Sequence, residues 1–136
     1  MFEILEHTAD IGLGLASGDL NGLFTEAGRG FLALVVENSG DVLPRVERRI
    51  VVQSDSLADL LFDWLSELLY LFEVKRMVFC GFDIKIEGTS LVAVARGEGI
   101  DPQRHHLARE VKAITYHSLS VAKVGEEWRA RVIVDI

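Results

Sequence analysis

SLADLLFDWLSELLYLFE, residues 56–73, is the stretch that decides the fold of this chain. Ser56 can cap the first helical turn, and Asp59 three residues later completes a start that resembles a capping box. The large apolar residues recur at steps of three and four, which places them on one wide helical stripe: Leu57, Leu60, Leu61, Trp64, Leu65, Leu68, Leu69 and Phe72. Burying each of them contributes roughly 1.5 to 3 kcal/mol, so the stripe needs a sheet or another helix to cover it. The stretch therefore predicts a core helix and not an active site.

The segments before this helix predict three strands and a second helix. Strand patterns cover residues 2–6, 11–16 and 46–53. Ser17 or Asp19 can begin a helix that runs to about Val35. The helix contains three glycines, Gly22, Gly28 and Gly30. Each costs about 0.5 to 1 kcal/mol of helix stability relative to alanine, so this helix depends on tertiary packing.

The segments after the helix change from a helical repeat to alternation. Residues 77–79, 82–87 and 91–96 predict an antiparallel meander with breaks at Gly81 and Gly88. The segment GEGIDPQRHHLARE, residues 97–110, predicts a long irregular piece, and residues 111–121 and 128–134 predict two final strands. The expected architecture is α+β, with two main helices packed on antiparallel β-sheets in a single domain, residues 1–136.

Composition and charge exclude several classes of protein. A formal charge of −7 argues against a broad electropositive surface for nucleic acid, so any contact with RNA is expected to be local or indirect. The single cysteine, Cys80, lies in an apolar run and is predicted to be a buried thiol in a reducing compartment. The apolar runs are far shorter than the roughly 20 residues that span a bilayer, and MFEILEHTAD has no signal-peptide pattern. A cytoplasmic protein without a membrane partner is therefore expected.

The chemistry that the sequence offers is mostly that of carboxylates. Asp10 follows a predicted strand, Asp135 ends one, and Ile136 supplies an α-carboxylate. If the first and last strands are neighbours, these groups can lie close together. Hard cations such as Ca²⁺, Mg²⁺ or Mn²⁺ prefer such oxygen ligands. A terminal aspartate is nevertheless more often solvated than bound to a metal.

Other reactive side chains form no strong pattern. His105 and His106 are adjacent, without the spacing of a zinc site, and are predicted to be loop residues. His7 could contact the Asp10 carboxylate and orient it for a metal, or it could pack at a strand end. His117 is predicted to be structural within a strand.

Motifs for independent catalysis are missing from the sequence, and one lysine stands out. Neither a GxSxG elbow nor a phosphate-cradling GxxxxGK[ST] or GxGxxG loop occurs, which disfavours an independent nucleotidase. Lys112, within EVKAITYH, is predicted to lie on a sheet face, where a lysine is usually solvated. It is also a suitable point contact for a phosphate or for a carboxylate of a partner.

Five motifs in order along the chain together resemble the archease family: HTADIG (7–12), DWLSELLYLFE (63–73), GEGID with the histidines that follow (97–106), EVKAITYHSL (110–119) and VIVDI (132–136). The likeness runs the full length of the chain, which makes it more specific than any single motif. The first helix is richer in glycine than the family pattern.

The resemblance implies an accessory protein, not an enzyme, that activates the RtcB-type RNA-splicing ligase. That ligase uses GTP and a divalent metal to join RNA ends in tRNA splicing and RNA repair, and archeases promote its guanylylation and its multiple turnover. The resemblance assigns a divalent metal, such as Ca²⁺, Mg²⁺ or Mn²⁺, to Asp10, Asp135 and Ile136. It assigns a contact with phosphate or partner to Lys112, and it implies that tRNA is met indirectly through the ligase.

Two other functions stay open at this point. One is a chaperone-like modulator of tRNA-modifying enzymes such as tRNA methyltransferases, a role also suggested for archeases. The other is an autonomous metal-dependent phosphohydrolase that uses the same carboxylates with His7 as base.

Overall fold

The computed structural model describes residues 1–6 and 9–136 and confirms the α+β architecture. It contains two α-helices, α1 (Leu20–Val35) and α2 (Leu57–Glu73), and a single 3₁₀ turn at Ser39–Asp41 within that described part. The strands are β1 (Phe2–Glu6), β2 (Asp10–Ser17), β3 (Val46–Gln53), β4 (Met77–Glu87), β5 (Ser90–Gly99), β6 (Ala113–Ile114), β7 (Ser120–Val124) and β8 (Glu127–Asp135). Over the described residues, neither helix has the length and apolar character needed to cross a membrane.

The strands form two antiparallel sheets. The five-stranded sheet has the order β1-β2-β8-β6, with β7 also paired to β8, and the three-stranded sheet has the order β3-β5-β4. The last strand therefore pairs with the second strand, whereas β1 pairs with β2. The first strand is not a neighbour of the last, but the β2–β8 pair still brings Asp10 and Asp135 together.

Helix α2 lies in the core as its apolar stripe predicts. The Ser56 side chain accepts a hydrogen bond from the Asp59 N–H at 3.1 Å, so the predicted cap is present. Trp64 is fully buried, and its indole N–H donates to the carbonyl of Phe24 in α1 at 3.0 Å. The same indole contacts the Phe82 ring of β4 edge-on. One side chain thus joins both helices to the three-stranded sheet.

The glycines of α1 permit close packing against both sheets. A Cβ atom added at Gly28 would lie 2.7 Å from the Phe82 ring of β4, and one added at Gly30 would lie 2.8 Å from a methyl group of Leu13 in β2. The helix contacts strands of both sheets. The tertiary packing that the glycine-rich sequence requires is therefore supplied at these positions.

The predicted single strand over residues 111–121 was wrong, because two short strands separated by a turn occupy it. Thr115 donates from both its N–H and its hydroxyl to the Ile133 carbonyl, at 3.0 and 2.8 Å. A turn follows, closed by the Leu119 N–H on the Tyr116 carbonyl at 3.2 Å, with Ser118 at a φ of 53°.

Two consequences follow for the side chains of this turn. His117 was expected to lie in a strand, but it is exposed in the turn. The Tyr116 ring stacks on Phe62 of α2 with ring centroids 3.9 Å apart, and it lies between the two segments that pair with β8. The interruption between the two strands therefore coincides with a favourable aromatic contact to α2.

Three smaller expectations need correction in the three-stranded sheet. The predicted break at Gly81 is a β-bulge within one continuous strand, β4, and residues 97–99 belong to β5 and not to the irregular segment. Cys80 is half-buried rather than buried, with its thiol donating to the Arg96 carbonyl at 3.6 Å. Burial raises the pKa of this thiol, so it is a weak nucleophile at neutral pH.

Candidate functional site

Asp10 and Asp135 lie directly opposite each other at one end of the five-stranded sheet. Asp10 begins β2, Asp135 ends β8, and the register pairs them. The next pair along the ladder, Ile11 and Val134, is buried in the core at 1% exposure each. Because side chains alternate between the faces of a strand, both carboxylates project to the opposite, solvent side, with Cβ atoms about 4.5 to 5.5 Å apart.

The last residue is fixed at the same end of the sheet. The Ile136 N–H donates to the Ala9 carbonyl at 3.3 Å, and the Ile136 side chain packs against the hydrophobic core. Its α-carboxylate follows directly after Asp135. The structure therefore brings the three predicted carboxylates to one place.

Lys112 joins this group from the neighbouring segment. It precedes β6 instead of lying within a strand, and its N–H donates to the Asp135 carbonyl at 2.8 Å. Ala113, the next residue, is the register partner of Asp135. The Lys112 side chain is exposed, and over residues 1–6 and 9–136 no acidic oxygen lies within 4.0 Å of its ammonium group. The ammonium is therefore free to meet a group of another molecule.

The donor set fits a hard divalent cation. Like charges placed directly opposite on a sheet destabilise it, and no ion pair with another described residue offsets the charges of Asp10 and Asp135. A cation would do so, and carboxylate oxygens are the ligands that Ca²⁺, Mg²⁺ and Mn²⁺ prefer. In the described part of the chain no three His, Cys, Asp or Glu side chains cluster as metal ligands, and Ile136 is the predicted residue that could add a third carboxylate beside Asp10 and Asp135. His7, for which orientation of the Asp10 carboxylate was one expectation, lies outside the described residues.

A second polar cluster was missed by the sequence reasoning. Glu98 in β5 is 5% exposed and accepts hydrogen bonds from the Leu43 N–H at 2.6 Å and from His105 at 3.1 Å, and it pairs with Arg104. Burial by itself raises the pKa of Glu98, but the Leu43 N–H, His105 and Arg104 outweigh it and hold that pKa below its usual value. The only signal in the sequence was a glutamate between two glycines in GEGID.

His105 is a loop residue as predicted, but it is almost fully buried, at 1% exposure. The Asp101 N–H donates to its Nδ1 atom at 2.9 Å, so the ring hydrogen of the neutral form lies on Nε2 and is donated to Glu98. This contact holds residues 100–112, called the strap below, against β5. The cluster is therefore a support for the segment that ends at Lys112.

Comparisons with known proteins agree along the whole chain. The chain matches the model of the Archease protein family (MTH1598/TM1083) over residues 2–136. It is 40% identical to the protein archease of Methanosarcina acetivorans over 99% of this chain and 95% of that one. The solution structure of protein 1598 from Methanobacterium thermoautotrophicum is similar with a TM-score of 0.87 and 32% identity, over 99% of this chain and 98% of that one. A crystal structure from Thermotoga maritima, described as an archease and possible chaperone, gives a TM-score of 0.64 and 26% identity, over 100% and 98% of the two chains.

Proposed function

Because this chain belongs to the archease family, we propose that it is an accessory protein of a GTP-dependent RNA-splicing ligase of the RtcB type. In this proposal it promotes guanylylation of the ligase and its multiple turnover in the splicing and repair of RNA. It performs no covalent chemistry of its own, and it meets tRNA through the ligase. A cytoplasmic location, expected from the sequence, is part of the same proposal.

The observation that supports the proposal most strongly is the register of β2 and β8. It sets Asp10 directly opposite Asp135, and Ile136 and Lys112 are both bonded to the backbone at this end of the sheet. Residues from the first tenth and the last tenth of the chain meet there, and the sheet ladder fixes their relative positions. Preorganisation of this kind is what a site for a single cation requires.

Each residue has a distinct part in the proposal. The carboxylates of Asp10, Asp135 and Ile136 would hold a divalent cation, which when bound supplies positive charge to phosphate oxygens or to ligands of a partner. The exposed Lys112 ammonium would contact a phosphate or an acidic group of the ligase. The chain's formal charge of −7 would increase its rate of association with a basic RNA-binding enzyme.

A guanylylation assay tests the proposal. The ligase is incubated with GTP, a divalent metal and either the wild-type protein or one of three variants, Asp10→Ala, Asp135→Ala and Lys112→Ala. We expect each variant to lose most of the stimulation while remaining folded. Asp55→Ala, at an exposed aspartate before α2, is the matched control and should stimulate like the wild type. Stimulation close to the wild-type level by all three site variants would refute the proposal.

A second candidate function has one observation in its favour. The Thermotoga maritima relative is described as a possible chaperone. A chaperone-like role toward RNA-modifying enzymes such as tRNA methyltransferases predicts that the solubility of the client improves even with the Asp10→Ala, Asp135→Ala double variant. The ligase proposal predicts that the same double variant is inactive in guanylylation. Turnover of a phosphate ester by the isolated protein would instead favour the phosphohydrolase.

A further inference from the structure

The strap crosses the C-terminal end of α1 before it reaches the candidate site. The Glu37 N–H donates to the His106 carbonyl at 2.7 Å, and the Ala108 N–H donates to the Val35 carbonyl at 2.9 Å. An isolated β-bridge between Val36 and Leu107 lies between these two bonds. The end of the helix and the strap are therefore joined along three consecutive positions.

Arg109 adds a third partner to this junction. Its guanidinium donates from Nη1 to the Leu34 carbonyl of α1 at 3.1 Å, and from Nη2 to the Glu6 carboxylate of β1 at 2.8 Å. The carbonyl is near the C-terminal end of the helix, where a positive charge is favourable. The arginine side chain is 29% exposed and the Glu6 side chain is 64% exposed, so water screens the ion pair, whereas the hydrogen bond to Leu34 is partly buried.

The guanidinium thus connects the two segments that supply the site. Glu6 is the last residue of β1 and pairs with Ile11, the residue after Asp10. Arg109 lies three residues before Lys112, whose N–H is bonded to the Asp135 carbonyl. Resting on the proposed function of this site, we propose that Arg109 is a positioning residue, which fixes the β1–β2 hairpin bearing Asp10 relative to the segment bearing Lys112.

Arginine suits this position because one planar guanidinium can donate to two acceptors that belong to different elements. A lysine would keep the charge but place a single compact ammonium between the two acceptors. Loss of the guanidinium leaves the hairpin and the strap joined to the rest of the fold at other points, so the fold persists. The β2–β8 ladder still holds Asp10 opposite Asp135. The position of the Ala9 carbonyl, which accepts the Ile136 N–H, becomes less sharply defined, and with it the position of the Ile136 α-carboxylate.

The test compares Arg109→Gln with the wild-type protein in two measurements. Calorimetric titration should show that the affinity for Ca²⁺ is weaker by about threefold to tenfold. Removal of a group that directly orients a metal ligand weakens metal affinity by about 10- to 100-fold, and Arg109 acts less directly. Hydrogen exchange in the metal-free protein should become faster at the Ala108 and Ile136 amides, which are bonded to Val35 and Ala9. Arg29→Gln, at an arginine paired with Glu26 within α1, is the control and should change neither measurement.

Further variants separate positioning from a general loss of stability. Glu6→Gln removes the charge but leaves an acceptor, so it should weaken Ca²⁺ binding less than Arg109→Gln does. The double variant should bind as the Arg109→Gln single variant does, since Arg109→Gln already removes the interaction that Glu6→Gln weakens. Additive losses, or unchanged Ca²⁺ affinity in Arg109→Gln while the wild type binds, would overturn the inference about Arg109. Failure of the wild type itself to bind Ca²⁺ would instead refute the metal site and, with it, the inference.

Discussion

Gly97 lies where β5 passes the bulge of β4, and we predict that alanine there destabilises the protein severely. A Cβ atom at this position would lie 1.8 Å from the Val78 carbonyl oxygen and 2.7 Å from the Phe79 Cα atom. Both are backbone atoms of the paired strand, so no side chain can rotate away to make room. The strands themselves must separate.

The size of the effect follows from that separation. A carbon atom normally approaches a carbonyl oxygen no closer than about 3.3 Å, so β4 and β5 must move apart by roughly 1.5 Å near Gly97. Overpacking of this kind costs about 1 to 3 kcal/mol, and two weakened hydrogen bonds of the ladder add about 1 to 3 kcal/mol more. We therefore expect the free energy of unfolding to fall by about 4 kcal/mol, with Tm lower by about 12 °C for a chain of this size.

Urea denaturation followed by tryptophan fluorescence measures this change, since Trp64 is fully buried in the folded protein. Gly40→Ala is the matched control, because nothing lies within 4 Å of a Cβ atom added there. The control should stay within about 0.5 kcal/mol of the wild type. If Gly97→Ala and Gly40→Ala were equally stable, the close approach of the two strands would be wrong, and so would the packing that supports Glu98 beside it.

Two further predictions concern the core and the buried carboxylate. Trp64→Phe removes the donor to the Phe24 carbonyl and leaves a void, so it should lower the free energy of unfolding by about 2 to 4 kcal/mol in the same assay. Because the pKa of Glu98 is lowered in the folded state, its charge stabilises the fold above the unfolded pKa of about 4.3, and this stabilisation is lost as the pH falls through the folded value. Glu98→Gln should therefore lower the free energy of unfolding by about 2 kcal/mol at pH 7 and by progressively less below about pH 4. Urea denaturation measures this change, and an equal loss at pH 7 and below about pH 4 would contradict the lowered pKa of Glu98.

Local sequence patterns could predict much of this fold because the elements concerned are defined by their own residues. The period of α2 and its Ser56 cap lie within one stretch, and Asp19, one of the two residues expected to begin α1, is its cap. Residues 46–53 form β3 over the predicted range. Each of these features depends on spacing and on capping chemistry, which a single segment contains.

The features that were missed depend on contacts between distant segments. The break between β6 and β7 coincides with the stacking of Tyr116 on Phe62 and the bond of the Thr115 hydroxyl to the Ile133 carbonyl, and neither contact is visible in the alternation of the sequence. The bulge at Gly81 likewise depends on the register with β5. Pairing between strands is set by the whole sheet and not by one strand's sequence.

In the candidate site, too, the sequence indicated single residues but not the contacts between distant segments. Asp10, Asp135 and Ile136 attracted attention as carboxylates at strand ends, but their convergence required the β2–β8 register. Arg109 had no local signal, since an arginine in an irregular segment gives no indication of which helix carbonyl and which carboxylate it will bind. The burial of Glu98 could not be predicted from the sequence either, because a charged residue is buried only where other segments supply its partners.

The central claim is that oxygens of Asp10, Asp135 and Ile136 bind one divalent cation together. The most direct measurement is calorimetric titration with Ca²⁺ of the wild type and of a protein extended by one glycine after Ile136. The extension leaves every side chain in place but moves the α-carboxylate, and a protein with one glycine added before Met1 is the control. We predict one ion per chain for the wild type and the control, and affinity weaker by about tenfold for the C-terminal extension. Equal affinity of the two extended proteins, or the absence of Ca²⁺ binding by the wild type, would contradict the claim.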